Sequence, residues 1–255
     1  MGTDFPSTGA ALVVGASGGI GADIARLLAE RGSAVALTWR SGSEAAAATL
    51  ADVTAYAAGS SHRLDVTSAD EAARVVADVV AAHGGLHTVV HAAGPHVPMV
   101  HLSRVAPEQM ARQLQQDTLG FFTVVHAALP ALRESGGSIV AVTTAATARF
   151  PKRDGLSSGP KAAVEAMVRG LAAEEGRFGV RANAVGPGML TDGMAERLIG
   201  GGDLSEEALE ITRGNIPLGR FGRARDIAEA VCFLASTRAG FISGQKLDVD
   251  GGYGV

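Results

Sequence analysis

The sequence predicts an α/β protein: a doubly wound parallel sheet with helices on both faces, in a single domain covering residues 1–255. Three observations predict it. Short apolar runs alternate with stretches of helical spacing along the whole chain. The first run ends in a glycine-rich turn, Gly15-Ala16-Ser17-Gly18-Gly19-Ile20-Gly21, which opens a helix. The composition is 47% hydrophobic and 19% charged with 34 glycines, as in a chain that buries a core. Strands separated by helices must pair in parallel, through right-handed crossovers.

The elements follow in order. Residues 10–15 are a short apolar run ending at glycine, hence a buried strand. Residues 18–31 place Ile20, Ile24, Leu27 and Leu28 on one helical stripe. Residues 34–39 read as a second strand, and an alanine-rich helix follows to about Ala51. Residues 62–66 read as a third strand, and 68–83 as a helix capped by Thr67 or Ser68. A fourth strand over 87–94 precedes one long helix over 106–132. Strands over 138–144 and 180–186 flank a helix over 157–176. Residues 188–216 are glycine-rich and too irregular to assign, and are expected to form a substrate lid. A helix over 225–236 and a strand over 246–249 close the chain.

The bulk properties exclude several function classes. The net charge of −4 argues against nucleic acid as a partner. The amino-terminal segment has neither a basic region nor an apolar one, and no apolar run reaches the ~18 residues of a membrane span. Cys232 is the only cysteine, so no disulfide forms within the chain. A cytoplasmic protein without a membrane association is expected, with a small-molecule substrate.

The glycine turn binds phosphate by a definite mechanism. Its glycines let the backbone turn tightly and approach a pyrophosphate, which the positive helix start then attracts. Gly15, Ser17, Gly18, Gly19, Ile20 and Gly21 are the candidate cradle. An acid at the end of the second strand would bond a ribose 2′-hydroxyl and repel a phosphate. The chain has Arg40 and Ser41 there, and no acid before Glu44. Arginine suits a phosphate, so NADP(H) is expected over NAD(H), with a solvated surface arginine as the alternative. Asp65 is placed to accept from an adenine amino group, beside Val66.

These features, with the His91-Ala92-Ala93-Gly94 turn, a lysine helix around Lys161, NAVGPGMLT at 183–191 and the closing FISGQKLDVDGG, make the chain resemble the short-chain dehydrogenase/reductase family. The resemblance runs from about Ala10 to Gly252. It implies a seven-stranded Rossmann-like sheet, a homotetramer, cofactor contacts at Ala92, Ala93 and Gly94, and nicotinamide contacts at Pro187, Gly188, Leu190 and Thr191. It also implies a catalytic Asn, Ser, Tyr and Lys. At those positions stand Asp117, Thr144, Ser157 and Lys161, of which only the lysine is unchanged.

The chain thus lacks the phenol that usually donates a proton. Its two tyrosines are Tyr56 and Tyr253, far from that position in the sequence. Related enoyl reductases carry the tyrosine seven positions before the lysine, where this chain has Asp154. Peroxisomal 2,4-dienoyl-CoA reductases also lack the tyrosine and carry D-T-x-G, matching Asp117-Thr118-Leu119-Gly120. Those enzymes imply a proton-delivering water positioned by Asp117 and Asp250, although Asp117 also reads as a replacement in a site that has lost function.

His91, His96 and His101 flank the substrate side, His96 being the candidate acid by position, or are loop residues. No metal site is expected, and Arg153 and Asp154 read as solvated charge and helix cap. Two functional classes remain: an NADP(H)-dependent oxidoreductase of an enoyl, dienoyl or ketoacyl thioester, and a cofactor-binding homologue without ordinary reductase activity.

Overall fold

The computed structural model describes residues 4–95, 97–191 and 206–255. Seven parallel strands form one sheet: β1 (Ala10–Val14), β2 (Ala34–Trp39), β3 (Gly59–Arg63), β4 (Leu86–His91), β5 (Ser138–Val142), β6 (Arg181–Pro187) and β7 (Lys246–Val249). Their order is β3-β2-β1-β4-β5-β6-β7. The chain winds outward from β1 in both directions, so a crevice opens beyond the carboxyl ends of β1 and β4.

The helices are α1 (Gly19–Glu30), α2 (Ser43–Thr54), α3 (Ala69–His83), α4 (Pro107–Leu114), α5 (Gly120–Ser135), α6 (Gly155–Glu175), α7 (Glu206–Gly214) and α8 (Ala224–Ala235). Alternate strand residues feed two cores. Ala11, Val13, Val35 and Leu37 join Ile24, Leu28, Ile227 and Val231 on one face. Leu12, Val14, Ala36 and Val89 join Val75, Phe121, Val125 and Val164 on the other. Apolar residues on both faces of the central strands, as in AALVV of β1, reflect a sheet covered on both sides.

The structure departs from the sequence expectation at three places and decides between two alternatives at a fourth. The third strand ends at Arg63, so Asp65 lies in the loop beyond it. Its residues, GSSHR, are polar because β3 is the sheet's edge. The long helix is interrupted: α4 and α5 are joined by a π-helical turn over Gln115–Leu119. The region 188–216 is not uniformly irregular, since α7 forms within it, and the proposed lid residues 192–205 lie outside the described residues. Of the two possible caps of α3, Ser68 is the one used: its Oγ accepts from the Glu71 amide at 3.2 Å.

Candidate active site

The glycine turn joins β1 to α1. Gly15 adopts φ +86° and approaches the β4 turn so closely that a Cβ would lie 2.7 Å from Ala93 Cα. A Cβ on Gly21 would overlap the Gly15 carbonyl oxygen. Both positions therefore require glycine. Gly18, by contrast, borders open space: nothing lies within 4 Å of an added Cβ. The first amides of α1 face that space, so the turn fits a pyrophosphate.

The crevice around it holds the other candidate cofactor residues. Gly42 presses on Ser17, with 3.1 Å from its notional Cβ to the serine Cβ, which brings the end of β2 to the glycine turn. Arg40 and Ser41 are exposed there, and Arg40 forms no ion pair among the described residues. Asp65 Oδ1 accepts from Thr67 N at 2.9 Å and from Thr67 Oγ1 at 2.7 Å. These bonds, ahead of the positive charge of Arg40 and Arg63, hold its carboxyl below the usual range. Val66 packs on α5, where a Cβ on Gly120 would lie 2.7 Å from Val66 Cγ2.

Lys161 rises from the second turn of α6 toward the ends of β4 and β5. Its Nζ donates to Asp117 Oδ1 at 2.7 Å and, at 3.4 Å, to the Val142 carbonyl. Asp117 is only 1% exposed and sits in the π-helical turn. That turn widens the helix by one residue and aims the carboxylate at the lysine. Thr118 fastens the same turn to α6 through a 3.1 Å bond from its Oγ1 to the Pro160 carbonyl. An ammonium has three donors, so one N–H of Lys161 stays available to a ligand. Gly94 borders it: an added Cβ would lie 3.5 Å from Nζ.

Thr144 lies two residues beyond β5. Its hydroxyl oxygen accepts from the Ala146 amide at 3.1 Å, leaving its proton free to be donated. Ser157 stands one turn before Lys161, half-buried, and its hydroxyl has no partner among the described residues. The nicotinamide-side segment is held against β7. Gly188 N donates to the Val249 carbonyl at 3.0 Å, and Leu190 bridges to Gly222. Pro187 ends β6, and Thr191 N bonds the Gly222 carbonyl at 2.9 Å.

Several expectations change here. His91 is 2% exposed and edge-on to Phe121, with ring centroids 5.5 Å apart. Burial first, then the nearby Lys161 charge, push it down to about 3, so it stays neutral and is no acid. His101 is exposed, and His96 lies outside the described residues. Asp250 is engaged in the carboxy-terminal turn, its Oδ1 accepting from Gly252 N and its Oδ2 from Gly254 N. Asp154 does occupy the N-cap position of α6, but its side chain makes no capping bond and is half-buried rather than fully solvated. Tyr56 is 65% exposed beyond α2, and Tyr253 lies under the Arg149 guanidinium, 4.7 Å from ring centroid to Cζ.

Sequence reasoning passed over one cluster altogether. Glu165, one turn after Lys161, accepts from Thr147 Oγ1 at 2.9 Å and pairs with Lys246 at 3.3 Å. Lys246 also pairs with Asp248 at 2.9 Å. The cluster braces the turn after Thr144 against α6 and β7. Its members are too far apart in sequence for any local pattern to join them.

Among the described residues no helix is long and apolar enough to cross a membrane, and no group of three or more metal-ligating side chains occurs.

Known proteins agree with this geometry. A family model described as enoyl-(acyl carrier protein) reductase matches residues 15–254. A 3-oxoacyl-(acyl-carrier-protein) reductase FabG of Staphylococcus aureus is 33% identical over 247 residues, covering 96% of this chain and 98% of its own. Versicolorin reductase 1 of Aspergillus parasiticus is 33% identical over 249 residues, covering 95% of each chain. Among solved structures, a short-chain type dehydrogenase/reductase from Mycobacterium ulcerans superposes with TM-score 0.90 at 29% identity, covering 96% of this chain and 90% of that one. With a matching family model across the chain, a third of its residues shared with such reductases, and a fold that superposes on a solved member at TM-score 0.90, this protein belongs to the short-chain dehydrogenase/reductase family of oxidoreductases.

Proposed function

We propose that this protein is an NADP(H)-dependent reductase of an acyl thioester, acting on an enoyl, dienoyl or 3-ketoacyl group through an atypical proton-donating site. One observation carries the reading: Lys161 keeps a free N–H beside Gly94, in line with a glycine turn that faces open space. The bound cofactor supplies a hydride. Gly15, Ser17, Gly18, Gly19, Ile20 and Gly21 hold its pyrophosphate, and Asp65, Val66, Ala92 and Ala93 its adenosine side. Arg40 and Ser41 hold the 2′-phosphate, Lys161 the nicotinamide ribose, and Pro187, Gly188, Leu190 and Thr191 the nicotinamide end. Thr144 donates its hydroxyl proton as a hydrogen bond to the substrate oxygen, where negative charge develops.

The printed names of a relative, 3-oxoacyl-(acyl-carrier-protein) reductase, and of the matching family model, enoyl-(acyl carrier protein) reductase, support a thioester substrate. The homotetramer belongs to the same proposal. Leu119 and Phe122, 48% and 47% exposed, are apolar residues available to a subunit contact.

The test mixes purified protein and NADPH with 2-enoyl, 2,4-dienoyl and 3-ketoacyl thioesters and follows the absorbance of reduced nicotinamide. Oxidation with at least one class is expected. Arg40→Glu should weaken NADPH binding by roughly 10- to 100-fold with little change for NADH, as expected of a lost charged contact to phosphate. Ser157, in place of the phenol, favours a second reading: a cofactor-binding protein without ordinary reductase activity. Clear NADPH binding with no oxidation of any thioester selects that one.

A further inference from the structure

Reduction of a carbonyl consumes a proton as well as a hydride, and a serine hydroxyl is too weak an acid to release one readily. The described residues hold one carboxyl at the start of the lysine helix that no other group engages. Asp154 immediately precedes α6, three positions before Ser157 and seven before Lys161. Those spacings put all three residues on one face of the helix. Its carboxyl caps no amide and enters no hydrogen bond or ion pair among the described residues.

Its main chain is held tightly, by contrast. The Asp154 carbonyl accepts from the amides of Ser157 and Ser158, each at 2.9 Å, and from Ser158 Oγ at 3.0 Å. Arg153 before it has φ +71°, the one non-glycine residue with positive φ among those described. Such strain persists where surrounding contacts enforce it. Here Val100 N donates to the Arg153 carbonyl at 3.0 Å, and Leu102 closes over Gly155, 2.5 Å from a notional Cβ. The loop after β4 therefore clamps Asp154 at the amino end of the lysine helix.

Burial raises its carboxyl to about 6. The charged groups of the segments around it are Arg149, Lys152 and Arg153 on its own loop and His101 and Arg104 on the clamping loop. All five are exposed. A carboxyl tuned so is an efficient acid near neutrality.

We propose that Asp154 is the acid that protonates the substrate, in place of the missing phenol. The proposal rests on the reductase reading above. The bond broken is Asp154 O–H and the bond made is the product's O–H. The electron pair that receives this proton is the carbonyl π pair, displaced onto oxygen as hydride adds to carbon. Water then reprotonates the carboxylate.

Two measurements on the whole protein test it. A carbon-13 NMR titration without cofactor should show a carboxyl titrating at about 6 that vanishes in Asp154→Asn. One titrating near ~4, as an ordinary aspartate does, overturns the proposal. In the thioester assay, Asp154→Asn should lower kcat by roughly 100-fold or more with NADPH Kd within about twofold. Asp154→Glu should recover part of the rate and keep its fall as pH rises, and it carries both readouts if the amide variant does not fold. Turnover of Asp154→Asn within about threefold of wild type overturns the assignment. A joint loss of turnover and NADPH binding does so too, as does a comparable loss in Tyr253→Phe alone. A wild-type protein inert toward every thioester overturns the reductase reading and this assignment with it. An active wild type with an unaffected Asp154→Asn overturns only the assignment.

Discussion

Asp117 and Lys161 form a buried pair, with side-chain exposures of 1% and 14% and 2.7 Å between charged atoms. Removing one partner of such a pair leaves an uncompensated charge, at about 3–5 kcal/mol. Asp117→Ala should therefore unfold at markedly lower urea concentration. Asp117→Asn, which keeps an acceptor for the lysine, should be affected less. A direct Asp117–Lys161 contact also makes the aspartate an orienting partner of the lysine. Asp154 has the opposite environment, desolvated without a partner. Its folded-state pKa is raised from 3.8 to about 6, so folding opposes ionisation. The resulting stability is full below about pH 4 and is lost as pH rises through about 6. Asp154→Asn should thus be more stable than wild type at pH 7, by on the order of 1–2 kcal/mol after solvent screening, and no different near pH 4. Thermal unfolding at both pH values decides it.

At the scale of elements, the glycine turn is built by close approach. Gly21→Ala would drive a methyl group into the Gly15 carbonyl and force β1 and α1 apart. It should lower NADPH affinity by at least about 100-fold and lower Tm, because turn and binding surface are the same backbone. Isothermal titration at a temperature well below the variant's Tm separates the two effects. The helix interruption shows how an element can serve a site. Residues 106–132 carry an unbroken helical spacing, yet the turn at Gln115–Leu119 widens to π geometry. An extra residue there carries Asp117 inward, to the lysine of a helix 44 residues away in sequence. Sequence periodicity cannot report this, because the widening is driven by a contact between helices.

Across the whole molecule, the sheet buries two histidines at its centre, both on β4. His91 is pushed down to about 3 and His87 to about 4, in each case chiefly by burial. An unfolded histidine takes up a proton near pH ~6.5, which the folded sites refuse. The stability they contribute is complete above that value and is lost as pH falls toward 3–4, where the folded sites themselves protonate. The free energy of unfolding, followed by denaturant titration between pH 7 and pH 4.5, should fall by up to roughly 1.4 kcal/mol per pH unit for each histidine. His87→Gln should remove about half of that slope. The asymmetry of the fold places this liability well. His91 lies at the carboxyl end of β4, beside the lysine, and His87 at the opposite end near Phe5.

The sequence by itself determined the parallel α/β class, the glycine turn, the lysine and the absence of a tyrosine four positions before it. Hydrophobic period, turn chemistry and residue identity are local properties, and they survive without any knowledge of neighbours. The third strand and α7 were misread because an edge strand is polar and a short helix in a glycine-rich stretch has little periodic signal. Only the tertiary structure decided that Asp117 belongs to Lys161, that Asp250 is engaged by its own turn, and that Asp154 stands unpartnered. Charge pairing and loss of solvent depend on segments far apart in the chain. A carboxylate next to a helix in sequence looks the same whether packing leaves it in water, gives it a cation, or closes a loop over it.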